Sequence, residues 1–170
     1  MLQNVSDGDA EIAESVRKKV LLEIRRVLVP GGKLVLTTRA VPEVGRYSDL
    51  YWYADPNFAP KGVATMEKLV PNKPENELRL CDFQNIKKVY SIDKVIKTES
   101  YFNPNLVATK AFQSADSFFS RVPESEMLAL VDHLEKMNDD EKDAYMKERD
   151  KLRNGQGHVV IMYAEKRESE

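Results

Sequence analysis

The sequence predicts an α/β fold, and three observations support this class. A helical pattern over residues 9–29 ends at the sequence "PGG" (30–32). The apolar run "LVL" (34–36) follows at once, and a second buried strand, "HVVIMYAEK" (158–166), lies near the C-terminus. A helix that is joined to a strand by so short a turn packs back on the sheet, which produces an α/β layer.

The first helix is predicted from apolar residues that recur every three or four positions. They are Ile12, Val16, Val20, Ile24 and Val27/Leu28. Asp9 suits the N-cap. Pro30 disfavours helical geometry for Val29, and the glycines that follow allow the left-handed backbone that a tight reversal needs. The continuous apolar run 34–36 is typical of a strand that is covered on both faces, and Thr37-Thr38 extend it.

The composition fits one globular domain over residues 1–170, with 42% hydrophobic and 32% charged residues. The formal net charge of −2 does not indicate a nucleic-acid partner. Only residues 86–97, "IKKVYSIDKVIK", are locally basic, and a solvated face that carries lysines explains them. We therefore expect no nucleic acid among the partners.

Cysteine and histidine usage predicts a cytoplasmic protein without a metal. Cys81 is the single cysteine, so no disulfide framework can form within the chain. His133 and His158 are far apart and lack metal-ligand spacing, and His133 suits an ordinary solvated helix position. The sequence contains no signal-peptide pattern and no long apolar run, so we expect a cytoplasmic location and no membrane partner.

The middle of the chain gives weaker signals. Residues 41–62 are rich in aromatic side chains and contain three prolines, and residues 61–77 are expected to form a surface loop with one helical turn near Met66. Residues 83–92 suit either a helix or, at 89–92, a short strand. We favour a strand at 95–101.

Two helices are predicted before the last strand. Pro123 suits the first turn of one of them, and its apolar stripe contains Met127, Leu130/Val131, Leu134 and Met137. Residues 139–153 favour a helix by propensity, with a thin apolar face that indicates exposure. The turn 154–157 then leads to the buried strand 158–166.

These elements resemble those of the class I S-adenosylmethionine-dependent methyltransferases. "LLEIRRVLVPGGKLVLTT" (21–38) resembles their fourth helix and fifth strand, and "MLQNVSD" (1–7) resembles the segment after their fourth strand. "GHVVIMYAEKR" (157–167) resembles their last strand, which inserts antiparallel next to the fifth. The resemblance spans the whole chain but only the C-terminal half of the family fold. It implies a partial Rossmann-like fold with about three strands, helices on both faces and a helical insertion or lid at 103–155.

The donor-binding half of the family fold has no counterpart in this sequence. That half uses a Gly-rich turn after the first strand and an acidic residue after the second to hold an adenosyl ligand. None of the seven glycines forms such a turn, and the G-x-G spacing at 155–157 precedes a strand. The resemblance therefore implies S-adenosylmethionine as cofactor only if a partner or a missing N-terminal half completes the site.

The resemblance implies a methyltransferase family member that acts on a small-molecule substrate, is truncated or split, and is inactive alone. The alternative is a non-catalytic partner subunit or pseudoenzyme that binds and regulates an intact methyltransferase; a small binding protein unrelated to methylation is a third possibility. In the family, the fifth strand also pairs with the fourth, so residues 34–38 would present an unpaired apolar edge. We expect a homodimer or a protein partner that supplies the missing strands.

Candidate site residues lie near both ends of the first helix-strand unit. By resemblance, Gln3 and Asn4 fall in the loop that approaches the methyl donor and are candidate cofactor-binding residues; alternatively they belong to a frayed terminus. Arg39 ends the apolar strand, where open α/β sheets bind ligands, and its guanidinium suits a substrate carboxylate. An ordinary surface arginine is the alternative.

The aromatic segment supplies further candidates for substrate binding. Tyr47, Tyr51 and Trp52, with Tyr53, can line a small-molecule pocket, although we favour the alternative that they pack a helix onto the sheet. Phe112, Phe118 and Phe119 have two interpretations: they belong to a lid over the substrate, or they anchor the helical insertion. Catalytic residues are not assigned, because methyl transfer depends mainly on in-line positioning of donor and acceptor.

Overall fold

The computed structural model describes residues 10–39, 41, 45–71, 73–91, 98–153 and 155–167. The strands in these ranges are β1 (Lys33–Arg39), β2 (Phe83–Tyr90) and β3 (Val159–Lys166). The helices are α1 (Ala10–Val27), α2 (Pro60–Leu69), α3 (Pro74–Leu80), α4 (Thr98–Tyr101), α5 (Pro104–Val107), α6 (Lys110–Ala115), α7 (Glu124–Glu135) and α8 (Asp139–Lys151). Short 3-10 turns occur at Tyr47–Asp49 and Phe119–Arg121.

The predicted helix-turn-strand unit at the start of the chain is confirmed. Helix α1 ends at Val27 and β1 begins at Lys33. Between them Gly31 has a φ of 69°, a left-handed conformation that glycine adopts without strain. A Cβ atom on Gly32 would lie 2.7 Å from the carbonyl oxygen of Val29, so the turn needs a glycine there as well.

The three strands form one sheet in the order β1-β3-β2, and both pairs are antiparallel. The last strand therefore lies antiparallel beside β1, as the resemblance implies. Strands β1 and β2 run in the same direction on either side of β3. The fold is mixed α/β with flanking helices, but within the described residues no two adjacent strands are parallel, as they are in a Rossmann-like sheet.

Helices cover one face of this sheet. The side chains that make this core are Leu21, Leu78, Cys81, Phe83, Val160, Met162 and Ala164. The alternate residues point to the other face, where Val35 and Val89 are each 63% exposed and Ile161 is 43% exposed. Within the described residues, the expectations of a strand covered on both faces and of helices on both faces are therefore wrong. A continuous apolar run in the sequence does not reveal that only one face is packed.

The middle of the chain differs from the prediction. The predicted strand at 95–101 is wrong where it can be compared, because Thr98–Tyr101 is helical; residues 92–97 lie outside the described ranges. The strand of this region is β2, which pairs with β3 through an irregularity near Asn85, whose φ is 52°. Asparagine tolerates this left-handed conformation, so the strand continues past it.

The segment predicted as a surface loop contains two helices. Helices α2 and α3 begin at Pro60 and Pro74. Proline is well tolerated at the first helical position, because its missing N–H has no intrahelical partner there. Both prolines therefore start helices rather than interrupt them.

The later helices agree with the prediction. Helices α7 and α8 lie where the patterns at 123–137 and 139–153 predicted them. Helix α8 begins with a capping box: the side chain of Asn138 accepts from the Glu141 N–H at 3.0 Å, and the Glu141 carboxylate accepts from the Asn138 N–H at 2.9 Å. Among the described residues, no helix is both long and apolar enough to span a bilayer.

Candidate functional site

Three of the predicted substrate-binding residues lie close together near the carboxyl end of β1: Arg39, Tyr47 and Tyr51. The guanidinium carbon of Arg39 lies 5.5 Å from the centre of the Tyr51 ring, which is a cation–π distance. The Tyr47 ring meets the Tyr51 ring edge to face, with centroids 6.2 Å apart. A guanidinium and two phenols therefore form one cluster.

A cavity of about 230 Å³ lies beside this cluster. It is lined by Val41, Gly45, Arg46, Tyr47, Glu67 and Val70. Val41 also lines a narrow crevice that includes Arg39, so the cavity and the crevice share one lining residue. Pockets for small molecules typically have volumes of about 300–1,000 Å³. This cavity is smaller than that range, so it suits a small ligand or part of a larger one.

The hydroxyl of Tyr51 is the unusual feature of the cluster. Tyr51 is 1% exposed, and its hydroxyl has no hydrogen-bond partner among the residues that the structure describes. Burial raises the pKa of Tyr51, although the nearby charge of Arg39 acts in the opposite direction. The phenol is therefore a neutral hydrogen-bond donor, and leaving such a donor unpaired costs about 1–3 kcal/mol.

The carboxylate of Asp116 supplies a fixed negative charge near Arg39. The Tyr53 hydroxyl donates to its Oδ2 atom, and the Phe118 N–H donates to its Oδ1 atom, each at 2.8 Å. Burial alone would lower the pKa of Arg39, but Tyr51 and Asp116 raise it above its usual value. Asp116 forms no ion pair with Arg39 and acts on the guanidinium only through its charge at longer range.

Trp52, the fourth predicted substrate-binding residue, is completely buried. Its backbone N–H donates to the Tyr101 hydroxyl at 3.1 Å, and its indole N–H donates to the Tyr101 carbonyl oxygen at 2.6 Å. Both polar groups are thus used to join the aromatic segment to α4. A substrate contact of Trp52 stays a prediction.

Helix α8 holds the aromatic segment through Arg149. Its guanidinium donates to the carbonyl oxygens of Ser48 at 2.8 Å and Ala54 at 3.1 Å, and lies 3.6 Å from the Asp55 carboxylate. Sequence reasoning missed Arg149, Asp55 and Asp116. Charged residues are common in an exposed helix or a loop, so no pattern in the sequence distinguished these three.

The remaining candidate residues are placed as follows. Gln3 and Asn4 lie outside the described residues. The rings of Phe112, Phe118 and Phe119 surround Tyr53 with centroid distances of 5.1 to 5.9 Å. This packing supports their interpretation as anchors of the helical insertion, whereas a lid function is untested.

The histidines also pack rather than gather around an ion. The ring of His133 stacks on Phe58 at 4.1 Å, which makes this helix position half-buried rather than fully solvated. His158 is completely buried between the rings of Tyr51 and Tyr101. Within the described ranges, no group of three or more metal-binding side chains is found.

Comparison with known proteins does not assign a family. No protein-family model, no curated protein and no solved structure matches this chain. The methyltransferase hypothesis therefore depends on the sequence motifs and on the arrangement of the strands. The candidate site is inferred from the positions of Arg39, Tyr47 and Tyr51 relative to one another and to the cavity.

Proposed function

We propose that this chain is the acceptor-side part of an S-adenosylmethionine-dependent methyltransferase that acts on a small molecule. The donor-binding half comes from a protein partner or from sequence outside this chain. The observation that carries the proposal is the surroundings of β1: α1 enters it through "PGG", β3 lies antiparallel on one side, and no described strand pairs with its other edge. In the resembled family, the last strand lies where β3 lies here, and the fourth strand lies along the edge of β1 that no described strand pairs.

The outer edge of β1, which no described strand pairs, supports a missing neighbour. Its outer N–H and C=O groups can pair with a further strand, and only Lys33, at its beginning, blunts the edge. Val35 adds an exposed apolar side chain on the uncovered face of the sheet. A polypeptide that continues the sheet would pair the edge and shield part of this face, whether it is a second copy or another protein.

The position of the cavity supports the acceptor side. It lies next to Tyr47 beyond the carboxyl end of β1, where open α/β sheets bind their ligands. The described residues contain no Gly-rich strand-turn-helix, so we expect S-adenosylmethionine to bind only when the other half is present. Gln3 and Asn4 remain the proposed contribution of this chain to the donor site.

Titration calorimetry with S-adenosylhomocysteine tests the proposal. We expect no measurable binding by this chain alone. If the reading frame upstream of the Met1 codon, or a neighbouring one, encodes a Gly-rich strand-turn-helix, the longer protein or the complex should bind. Binding by the chain alone would overturn the division into halves, and no binding by the completed protein would overturn the methyltransferase assignment.

A non-catalytic partner subunit that regulates an intact methyltransferase is the second candidate. It is favoured by the burial of Tyr51 and Trp52, which are packed as a core rather than as open pocket walls. This candidate predicts that a pull-down recovers a complete methyltransferase whose activity changes when the chain is added. We also propose a cytoplasmic location, since Cys81 is a free thiol and thiols stay reduced in that compartment.

A further inference from the structure

We propose that the cavity beside Tyr47 binds a small zwitterion of the α-amino acid class, whose carboxylate pairs with Arg46 and whose ammonium group pairs with Glu67. Both charged residues line this cavity. The inference rests on the proposed function only in identifying this molecule as the methyl acceptor. The binding chemistry itself does not depend on methyl transfer.

The guanidinium of Arg46 is available for a carboxylate. Arg46 is exposed and forms no ion pair with any residue in the described ranges. The carboxylate of Asp49 instead accepts from the Arg46 backbone N–H at 2.8 Å, and the Asp49 N–H donates to the Arg46 carbonyl oxygen at 3.0 Å. These two bonds fix the backbone from which the guanidinium extends. A guanidinium presents a planar set of N–H donors that matches a carboxylate in two-pronged geometry.

The carboxylate of Glu67 supplies the opposite charge from a different element. Glu67 lies on α2, is exposed, and makes no ion pair within the part of the chain that the structure describes. Val70, three positions later at the end of the helix, also lines the cavity. A carboxylate accepts hydrogen bonds from an ammonium group, and such bonds between ionised groups are stronger than those between neutral ones.

The two charges define the ligand class. Among the residues that line the cavity, Arg46 and Glu67 carry charge, and no ion pair joins them to each other. An α-amino acid carries a carboxylate and an ammonium group on one carbon atom, so it complements both residues at once. A ligand with a single charge would pair with one of them and leave the other without a partner.

The remaining walls of the cavity suit a small apolar side chain. Val41, Tyr47 and Val70 line it and are all buried. The volume of about 230 Å³ limits the ligand to a small amino acid. Because Arg46 and Glu67 are exposed, salt screens their ion pairs with the ligand. We therefore expect weak binding that weakens further as the salt concentration rises.

The probes are L-valine, L-valinamide and N-acetyl-L-valine, which share one side chain and differ in charge. At neutral pH valine carries both charges, valinamide lacks the carboxylate, and N-acetylvaline lacks the ammonium group. We would measure the thermal midpoint of the full chain at low salt as each probe is added, since a ligand stabilises the state that binds it. Valine should raise the midpoint most. Its affinity should exceed that of either analogue about fivefold, the effect of one exposed ion pair.

Substitution of the two charged residues should give a crossed pattern. Arg46→Gln should abolish the preference for valine over valinamide, because the carboxylate loses its partner, and should keep the preference over N-acetylvaline. Glu67→Gln should do the reverse. Both side chains are exposed, so the midpoint without ligand should be unchanged in each variant. A pattern that is not crossed would overturn the pairing of each residue with its own ligand group.

Two control variants separate this site from general effects of charge. Arg26→Gln and Glu23→Gln change the same residue types in an exposed pair on α1, and neither residue lines the cavity. Both variants should keep both preferences for valine. Equal responses to the three probes, no response to any of them, or preferences that persist in Arg46→Gln and Glu67→Gln would overturn the proposal. The methyltransferase proposal would stand in each case, because it is tested by S-adenosylhomocysteine.

Discussion

The hydroxyl of Tyr145 donates a hydrogen bond of 2.8 Å to the Oδ2 atom of Asp55, two residues that are 90 positions apart in the chain. Asp55 is almost completely buried, and its Oδ1 atom accepts from the Asn57 N–H at 2.8 Å. Arg149 lies 3.6 Å from the same carboxylate. A buried polar network therefore joins α8 to the aromatic segment, in addition to the apolar packing of Met146 in the same core.

Removal of this hydroxyl should destabilise the fold. We expect Tyr145→Phe to lower the free energy of unfolding by about 1–2 kcal/mol, because a buried carboxylate oxygen loses a partner. Urea denaturation followed by circular dichroism measures the change. Tyr163→Phe is the matched control: its hydroxyl makes a 3.3 Å contact with Glu165 on the uncovered face, so the effect should be close to zero. Equal effects of the two substitutions would contradict the network.

The buried tyrosines predict a loss of stability at high pH. Burial raises the pKa of a group of tyrosines: Tyr47, Tyr51, Tyr53, Tyr101 and Tyr145. In the unfolded chain these phenols lose their protons near pH 10. Above that pH the folded state holds more protons than the unfolded state, so stability is fully present below about pH 10 and falls as pH rises.

The expected slope is up to about 1.4 kcal/mol per pH unit for each such tyrosine. Urea midpoints at several pH values above 9 would give this slope, and ultraviolet absorbance would show whether tyrosinate appears together with unfolding. Tyr51→Phe should give a shallower slope than the unsubstituted chain. Tyrosinate that forms well before unfolding would contradict the burial of these phenols.

Gly62 should be intolerant of even a methyl group. A Cβ atom there would lie 2.5 Å from Cγ2 of Val122, where α2 approaches the segment before α7. We expect Gly62→Ala to destabilise the fold by about 1–3 kcal/mol through overpacking. In a Val122→Ala background the 2.5 Å contact is removed, while Cα and Cβ of residue 122 stay 3.2 Å from the added methyl group. The same substitution should therefore cost less there, and the higher helix propensity of alanine over glycine offsets up to about 1 kcal/mol of the remaining cost. Thermal denaturation of the four variants measures the coupling; additive effects would contradict the contact.

The exposed face and edge of β1 should govern self-association. We expect the chain to dimerise or aggregate, and Val35→Lys to reduce this without loss of folded structure, because a lysine near a strand edge opposes edge pairing. Light scattering over a range of concentrations measures the effect. Leu128→Lys is the control, since Leu128 is also an exposed apolar residue but lies on α7. A monodisperse monomer before any substitution would count against the missing strands.

Part of the fold could be predicted because its causes are local. Helix α1 follows from apolar residues at helical spacing, and its end follows from Pro30 and the two glycines after it. Helix α7 and strand β3 are equally legible, since each has a strong periodic or continuous apolar pattern. The position of Arg39 at the end of β1 follows from the same local signals.

The sequence by itself determined the α/β class, the first helix-turn-strand unit and the residues that end it, because proline, glycine and apolar spacing act over a few neighbouring residues. Only the tertiary structure decided that β2 lies at Phe83–Tyr90, that one face of the sheet is uncovered, and that Arg39 lies over Tyr51 beside a cavity. These outcomes depend on contacts between residues that are distant in the chain. Local propensity carries no information about which distant partner is present.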